Sequence, residues 1–223
     1  MTKGVAGHLG QAKTIMAEIS MFTGGIAQTN GYLVRTRGLT FLVDAPEGVA
    51  VWLKTQGVKV DALLLTHQHF DHVLDAAAVA QDQGCPVYAW AAFSHDLTLE
   101  RLYGAVSGSS FSVPDFTVQQ VLQGLSVVEI GAMKLSLFHI PGHSPDSVCF
   151  YLPEEGLLFG GDVLFLEGVG RTDFPGGSFP QLATGISRDL WPLPDATVVY
   201  PGHGDDTTIG YEREENPFVG AAA

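Results

Sequence analysis

The chain has 223 residues, 46% hydrophobic and 16% charged, and its 11 Lys and Arg against 24 Asp and Glu give a formal net charge of −13. That balance excludes a largely disordered chain. It also argues against nucleic acid or an anionic membrane surface as a partner, because both are bound through clustered cations.

In chain order, residues 1–15 read as a loose N-terminal segment, with Lys3 and Lys13 but no apolar core of a secretion signal. Residues 16–220 read as one mixed α/β domain. Gly31 to Thr36 and Leu39 to Asp44 are predicted as two strands joined at Arg37-Gly38. Glu47 to Gln56 is predicted as a helix stopped by Gly57. Asp61 to Thr66 is a buried strand, Asp71 to Gln83 a helix ending at Gly84, and Cys85 to Trp90 another strand. Ser94 to Tyr103 is predicted helical, and Gly104 to Gln123 is the longest predicted loop, a candidate lid. Strands follow at Ser126–Ile130, Met133–Ile140, Ser147–Leu152 and Leu157–Gly160. Ser178 is placed to cap a helix that has Pro180 in its first turn and runs to Leu190. Thr197–Tyr200 is a last strand and Thr208–Glu215 a short last helix.

Two cysteines, Cys85 and Cys149, sit in apolar surroundings outside any CxxC pair. They read as buried reduced thiols of a cytoplasmic protein. No stretch reaches the roughly 18 apolar residues of a spanning helix.

The chemistry gathers where strands end. The strand to Thr66 runs into His67-Gln68-His69-Phe70-Asp71-His72. The strand to Ile140 runs into Pro141-Gly142-His143, and the strand from Leu157 into Gly161-Asp162. The last strand runs into Pro201-Gly202-His203. Sites in α/β proteins are built at such strand ends. His67 and His69, two apart in extended chain, point the same way. Imidazole and carboxylate together suit zinc, iron or manganese rather than calcium. His67, His69, Asp71, His72, His143, Asp162 and His203 are too many ligands for one tetrahedral ion, and suit two divalent ions sharing a carboxylate. His8, His95 and His139, outside this pattern, read as packing or surface residues.

These motifs resemble the metallo-β-lactamase-fold hydrolases over roughly Gly24 to Phe218. Within them, Gly161-Asp162-Val163-Leu164-Phe165, Gly170 to Gly177, and Pro201 to Gly210 ending in Asn216-Pro217-Phe218 resemble the short, single-domain glyoxalase II (hydroxyacylglutathione hydrolase) branch. The resemblance implies a four-layer αβ/βα sandwich of two mixed sheets with helices outside. It implies one metal site from His67, His69 and His143 and a second from Asp71, His72 and His203, with Asp162 bridging and zinc the first expectation. Asp44 and Thr66 would support the ligands from behind. It also implies thioester hydrolysis by a hydroxide that bridges the metals and is oriented by Asp71. With about 20 residues after His203, the helical domain that completes the glutathione grip in the longer members is not expected. Arg171 is either a clamp on a substrate carboxylate or an ion-pair partner of Asp173. The expected substrate is a small thioester, possibly a glutathione conjugate. Other readings of the same residues are a mononuclear-iron persulfide dioxygenase, a β-lactam or lactone hydrolase, and a non-catalytic scaffold.

Overall fold

The computed structural model describes residues 17–108, 112–221 and 223; the 1–15 segment and His8 lie outside them. Strands β1 (Glu18–Gly24), β2 (Thr29–Thr36), β3 (Leu39–Val43), β4 (Ala62–Leu64), β5 (Val87–Ala89) and β6 (Gln120–Val121) make one sheet in that order. It is antiparallel from β1 to β3 and parallel from β3 to β6. Strands β7 (Val127–Ile130), β8 (Met133–His139), β9 (Val148–Leu152) and β10 (Leu157–Gly161) run antiparallel in a second sheet. A short ribbon follows, β11 (Leu164–Phe165) with β12 (Gly168–Val169). The second sheet is completed by β13 (Val198–Pro201), parallel to β10, and β14 (Thr207–Thr208). The helices are α1 (Val49–Gln56), α2 (Phe70–Val73), α3 (Ala76–Gln83), α4 (His95–Thr98), α5 (Glu100–Ser107), α6 (Phe179–Gly185) and α7 (Ile209–Glu215).

Alternate side chains of the central strands fill two different cores. Phe41, Val43 and Leu64 meet Leu135, Phe150 and Phe159 between the sheets. Leu42 and Leu63 face the other way, onto Val49, Leu53 and Val79 of the helical layer. On the far side, Tyr151 and Leu158 pack on Leu182, Ile186 and Leu190. The result is the expected four-layer sandwich. Burial on both faces is why these strands read as unbroken apolar runs rather than alternating ones.

Several predicted boundaries move. The Asp71–Gln83 helix is two helices, because Asp75 leaves the helical path to accept hydrogen bonds from Gly48 N and Ala50 N at the start of α1, both 2.9 Å. The Ser94–Tyr103 helix is also divided, at Leu99, whose φ of +56° lies in the left-handed region. The Gly104–Gln123 stretch is not all loop, since α5 runs on to Ser107 and β6 lies at Gln120–Val121. Ser178 precedes α6 but makes no side-chain cap, and α6 gives way at Ile186 to a π-helical turn ending at Leu190. Strand β1 escapes the sequence patterns because, as an edge strand, it has no continuously buried face. Cys85 and Cys149 are buried and unpaired, as expected.

Candidate metal centre

Four strand ends and one strand start deliver the site to one edge of the sandwich. His67 to His72 follow β4, His143 follows β8, Asp162 follows β10, and His203 follows β13. β2 runs antiparallel to β3, so its first residues, Thr29 and Asn30, reach the same edge. Thr29 makes an isolated antiparallel bridge with His203. Val148 N donates to Thr66 O at 2.8 Å, tying the two sheets together beside the site.

The seven predicted residues come together. Nitrogen atoms of His67, His69 and His143 lie within 4.8 Å of one another, and so do ligand atoms of Asp71, His72 and His203. Gln68 turns away between the first two histidines. Its amide donates to Ala91 O and Ala92 O, each at 3.2 Å, and its Oε1 accepts from Ser94 N at 3.1 Å. Asp162 stands between the two triads. Its Oδ1 is 3.3 Å from His72 Nε2, and its Oδ2 is 3.4 Å from both His143 Nε2 and His203 Nε2.

His67 Nε2, His72 Nε2 and Asp162 Oδ1 are buried without a hydrogen bond. Burying such groups unsatisfied costs about 1–3 kcal/mol each. Three of them facing one another are accounted for if a cation takes their lone pairs. The donor set of imidazole and carboxylate suits zinc, iron or manganese, so the residues fit a pair of divalent ions.

The protonation pattern is divided in the same way. Burial, reinforced by neighbouring His72 and His69, holds His67 well below the usual imidazole range. Burial and His143 bring His69 down to about 3. Both are therefore neutral and offer lone pairs. Burial alone would also depress His72, but Asp71, Asp162 and Asp44 outweigh it and hold His72 well above its ordinary value. Burial likewise opposes, and Asp162 and Asp71 outweigh it for, His203, pushed up to about 10. Burial alone would raise Asp71, yet His72, His203 and Thr29 bring it down to about 2. Asp162 is held well below the carboxylate range against its burial by His72, His143 and His203.

Behind these atoms stands a supporting layer. His72 Nδ1 meets Asp44 Oδ2 at 2.8 Å, and Thr66 donates to the same carboxylate through N and Oγ1 at 2.8 and 2.7 Å. Asp44 holds a φ of +58° to do this. Thr66 Oγ1 is also 3.1 Å from His67 Nδ1. His143 Nδ1 donates to the Arg171 carbonyl at 2.8 Å. No motif pointed to Thr29, which donates to Asp71 Oδ2 at 2.6 Å, or to Asn30, whose amide donates to Gly204 O at 2.9 Å. Their partners lie 42 and 174 residues away in the chain, beyond any spacing rule. Glycines make the room. A Cβ on Gly202 would stand 2.2 Å from Asp162 Oδ1, and one on Gly161 would stand 2.4 Å from Thr66 Oγ1.

Arg171 is an ion-pair partner. Its guanidinium forms a two-point bond with Asp173, at 2.7 and 2.6 Å, and lies 4.0 Å over the Phe174 ring. It nevertheless lines the groove that opens beside His69 and Asp71. His95 sits between Glu100 and Asp115, and His139 stacks on Trp90 with ring centroids 4.1 Å apart. Neither belongs to the cluster, as expected. Among the described residues no helix is long and apolar enough to cross a membrane.

The chain is similar to known proteins. Hydroxyacylglutathione hydrolase GloC of Haemophilus influenzae is 36% identical over 169 residues, covering 73% of this chain and 77% of its own. The crystal structure of the B3 metallo-beta-lactamase BLEG-1 matches with a TM-score of 0.80 at 33% identity, over 91% of this chain and 99% of that one. That of TTHA1623 in a di-iron-bound form matches with a TM-score of 0.76 at 37% identity, over 89% and 99%. The Metallo-beta-lactamase superfamily profile matches residues 24–203, a span holding every residue of the two triads and Asp162. That span is well over half of the chain, and the chain belongs to the metallo-β-lactamase superfamily.

Proposed function

We propose that this chain is a dinuclear metal-dependent hydrolase of thioesters. The observation that carries the reading is Asp162, one oxygen turned to His72 and the other to His143 and His203. A carboxylate so placed suits two ions held side by side, one by His67, His69 and His143 and the other by Asp71, His72 and His203. Zinc is the first candidate for both. Two divalent ions would supply Lewis acidity for the scissile carbonyl and bring the pKa of water toward ~7.

The chain's own residues do the rest. Asp44 accepts the Nδ1 proton of His72 and the Arg171 carbonyl that of His143, so both Nε2 lone pairs face the centre. Thr29 fixes the Asp71 carboxylate from one side, leaving it to orient the attacking water and take its proton. The water oxygen adds to the thioester carbon and the carbon–sulfur bond breaks. The sulfur leaves as thiolate, which needs little help from a general acid because a free thiol has a pKa of about 8.5. The likeness to GloC supports a thioester with glutathione as one thiol to try.

The test is thiol release from S-lactoylglutathione by zinc-loaded protein, with Asp162→Ala as control. Turnover that depends on Asp162 supports the reading. Two bound metals without turnover of any thioester contradict it. The likeness to BLEG-1 favours β-lactam hydrolysis as a second reading, and a chromogenic cephalosporin in the same assay decides between them.

A further inference from the structure

The groove beside the cluster has a composition of its own. It encloses about 390 Å³ and shares His69 and Asp71 with the metal centre. That volume falls within the roughly 300–1,000 Å³ of ordinary small-ligand pockets. Its wall is Phe70, Leu99, Leu102, Tyr103 and Phe174. Phe70 and Tyr103 pack with ring centroids 4.7 Å apart. Leu102 keeps 38% of its surface exposed and so leaves apolar surface on the wall of the groove. Leu99 enters the wall from a left-handed backbone, φ +56°. A leucine held there is strained, and such strain collects at functional sites.

Charge points the same way. The charged lining residues apart from the cluster are Arg171 and Asp173. They neutralise one another through two hydrogen bonds, and Phe174 covers the guanidinium face. Two of the five guanidinium N–H groups are committed to Asp173, so a carboxylate-bearing arm would meet a cation already partly neutralised.

We infer that the preferred substrate carries an uncharged apolar or aromatic arm of about five or six carbons next to the scissile bond, seated against Phe70, Leu99, Leu102, Tyr103 and Phe174, and that doubly carboxylated glutathione conjugates are poor substrates. This rests on the thioester reading for the reaction, in which water replaces the sulfur at the acyl carbon and the thiolate leaves, but the groove itself can be tested without turnover.

The experiment has two arms on zinc-loaded protein. In the first, thiol release is compared for acetyl, hexanoyl and phenylacetyl N-acetylcysteamine and S-lactoylglutathione. A buried methylene is worth about fourfold, so at least one longer or aromatic arm gains tenfold or more in kcat/KM over acetyl, and S-lactoylglutathione falls below it by a similar factor. Leu102→Asn, a change at an exposed position, lowers the ratio between the apolar-arm substrate and acetyl at least fivefold. In the second arm, calorimetry measures the non-hydrolysable thioether S-hexyl-N-acetylcysteamine, whose Kd weakens at least fivefold in Leu102→Asn. Equal rates for every arm with no thioether binding, or S-lactoylglutathione as the fastest substrate, overturn the inference while leaving the thioesterase reading intact. Thioether binding sensitive to Leu102, without hydrolysis of any thioester, sinks the thioesterase reading and keeps the groove.

Discussion

His72 Nδ1 lies 2.8 Å from Asp44 Oδ2, across the boundary between the metal cluster and the first sheet. The carboxylate orients the imidazole of a proposed metal ligand from behind. Asp44→Asn keeps the size and tolerates the left-handed φ of +58°, yet removes the charge. Supporting partners of this kind are worth about 10–100-fold in metal affinity. A competitive chelator titration is expected to show a loss in that range, with the melting temperature little changed in the presence of excess zinc. Unchanged affinity would deny Asp44 this role.

Gly202 admits no side chain beside Asp162. A Cβ there would meet Asp162 Oδ1 at 2.2 Å and His72 Cε1 at 2.6 Å. Gly202→Ala is expected to cut turnover at least a hundredfold and to bind fewer metal ions per chain, with circular dichroism showing the fold retained. Wild-type metal content and rate in that variant would refute the crowding argument.

Metal uptake should release protons. Without metal, His203 is pushed up to about 10 and His72 also lies above its usual value, so both are charged at pH 7. Imidazole must be neutral to bind a cation. Apparent affinity therefore rises with pH between 6 and 8, and calorimetry in two buffers of different ionisation enthalpy is expected to count roughly two protons released per chain. No release would contradict the protonation pattern.

Asp146 sets a pH limit on stability outside the metal cluster. Burial pushes its carboxyl up to about 6, against hydrogen bonds from Ser144 and Gln68, and its Oδ2 is buried without a partner. Below about pH 4 the group is protonated in the folded and unfolded chain alike and costs nothing. Between pH 4 and 6 the folded chain holds more protons, so stability falls as pH rises, by about 3 kcal/mol in total. Asp146→Asn should therefore melt higher than the parent at pH 7.5 and level with it at pH 4. A variant less stable than the parent at pH 7.5 would show that the carboxylate is satisfied.

The site was legible because its ligands sit in short blocks that directly follow apolar strands. His67-Gln68-His69-Phe70-Asp71-His72 announces itself, and Pro141-Gly142-His143, Gly161-Asp162 and Pro201-Gly202-His203 repeat the placement. The central strands were equally plain, since burial on both faces leaves runs such as Ala62-Leu63-Leu64. What escaped was everything decided by tertiary contact. Asp75 ends a helix to cap another, which a helical period from Asp71 to Gln83 cannot reveal. Thr29 and Asn30 earn their roles only after the two sheets meet. Arg171 left clamp and ion pair open, and only the structure shows its two bonds to Asp173 at the mouth of the groove.

In the proposed centre two ions share Asp162. Its most direct test is metal content per chain by plasma mass spectrometry after zinc loading and desalting, read beside S-lactoylglutathione and neutral thioester turnover, for the parent protein and Asp162→Ala. Close to two zinc ions are expected in the parent, fewer in the variant, and turnover lost with them. One ion or none in the parent, or an Asp162→Ala variant with two ions and the parent's rate, would contradict it.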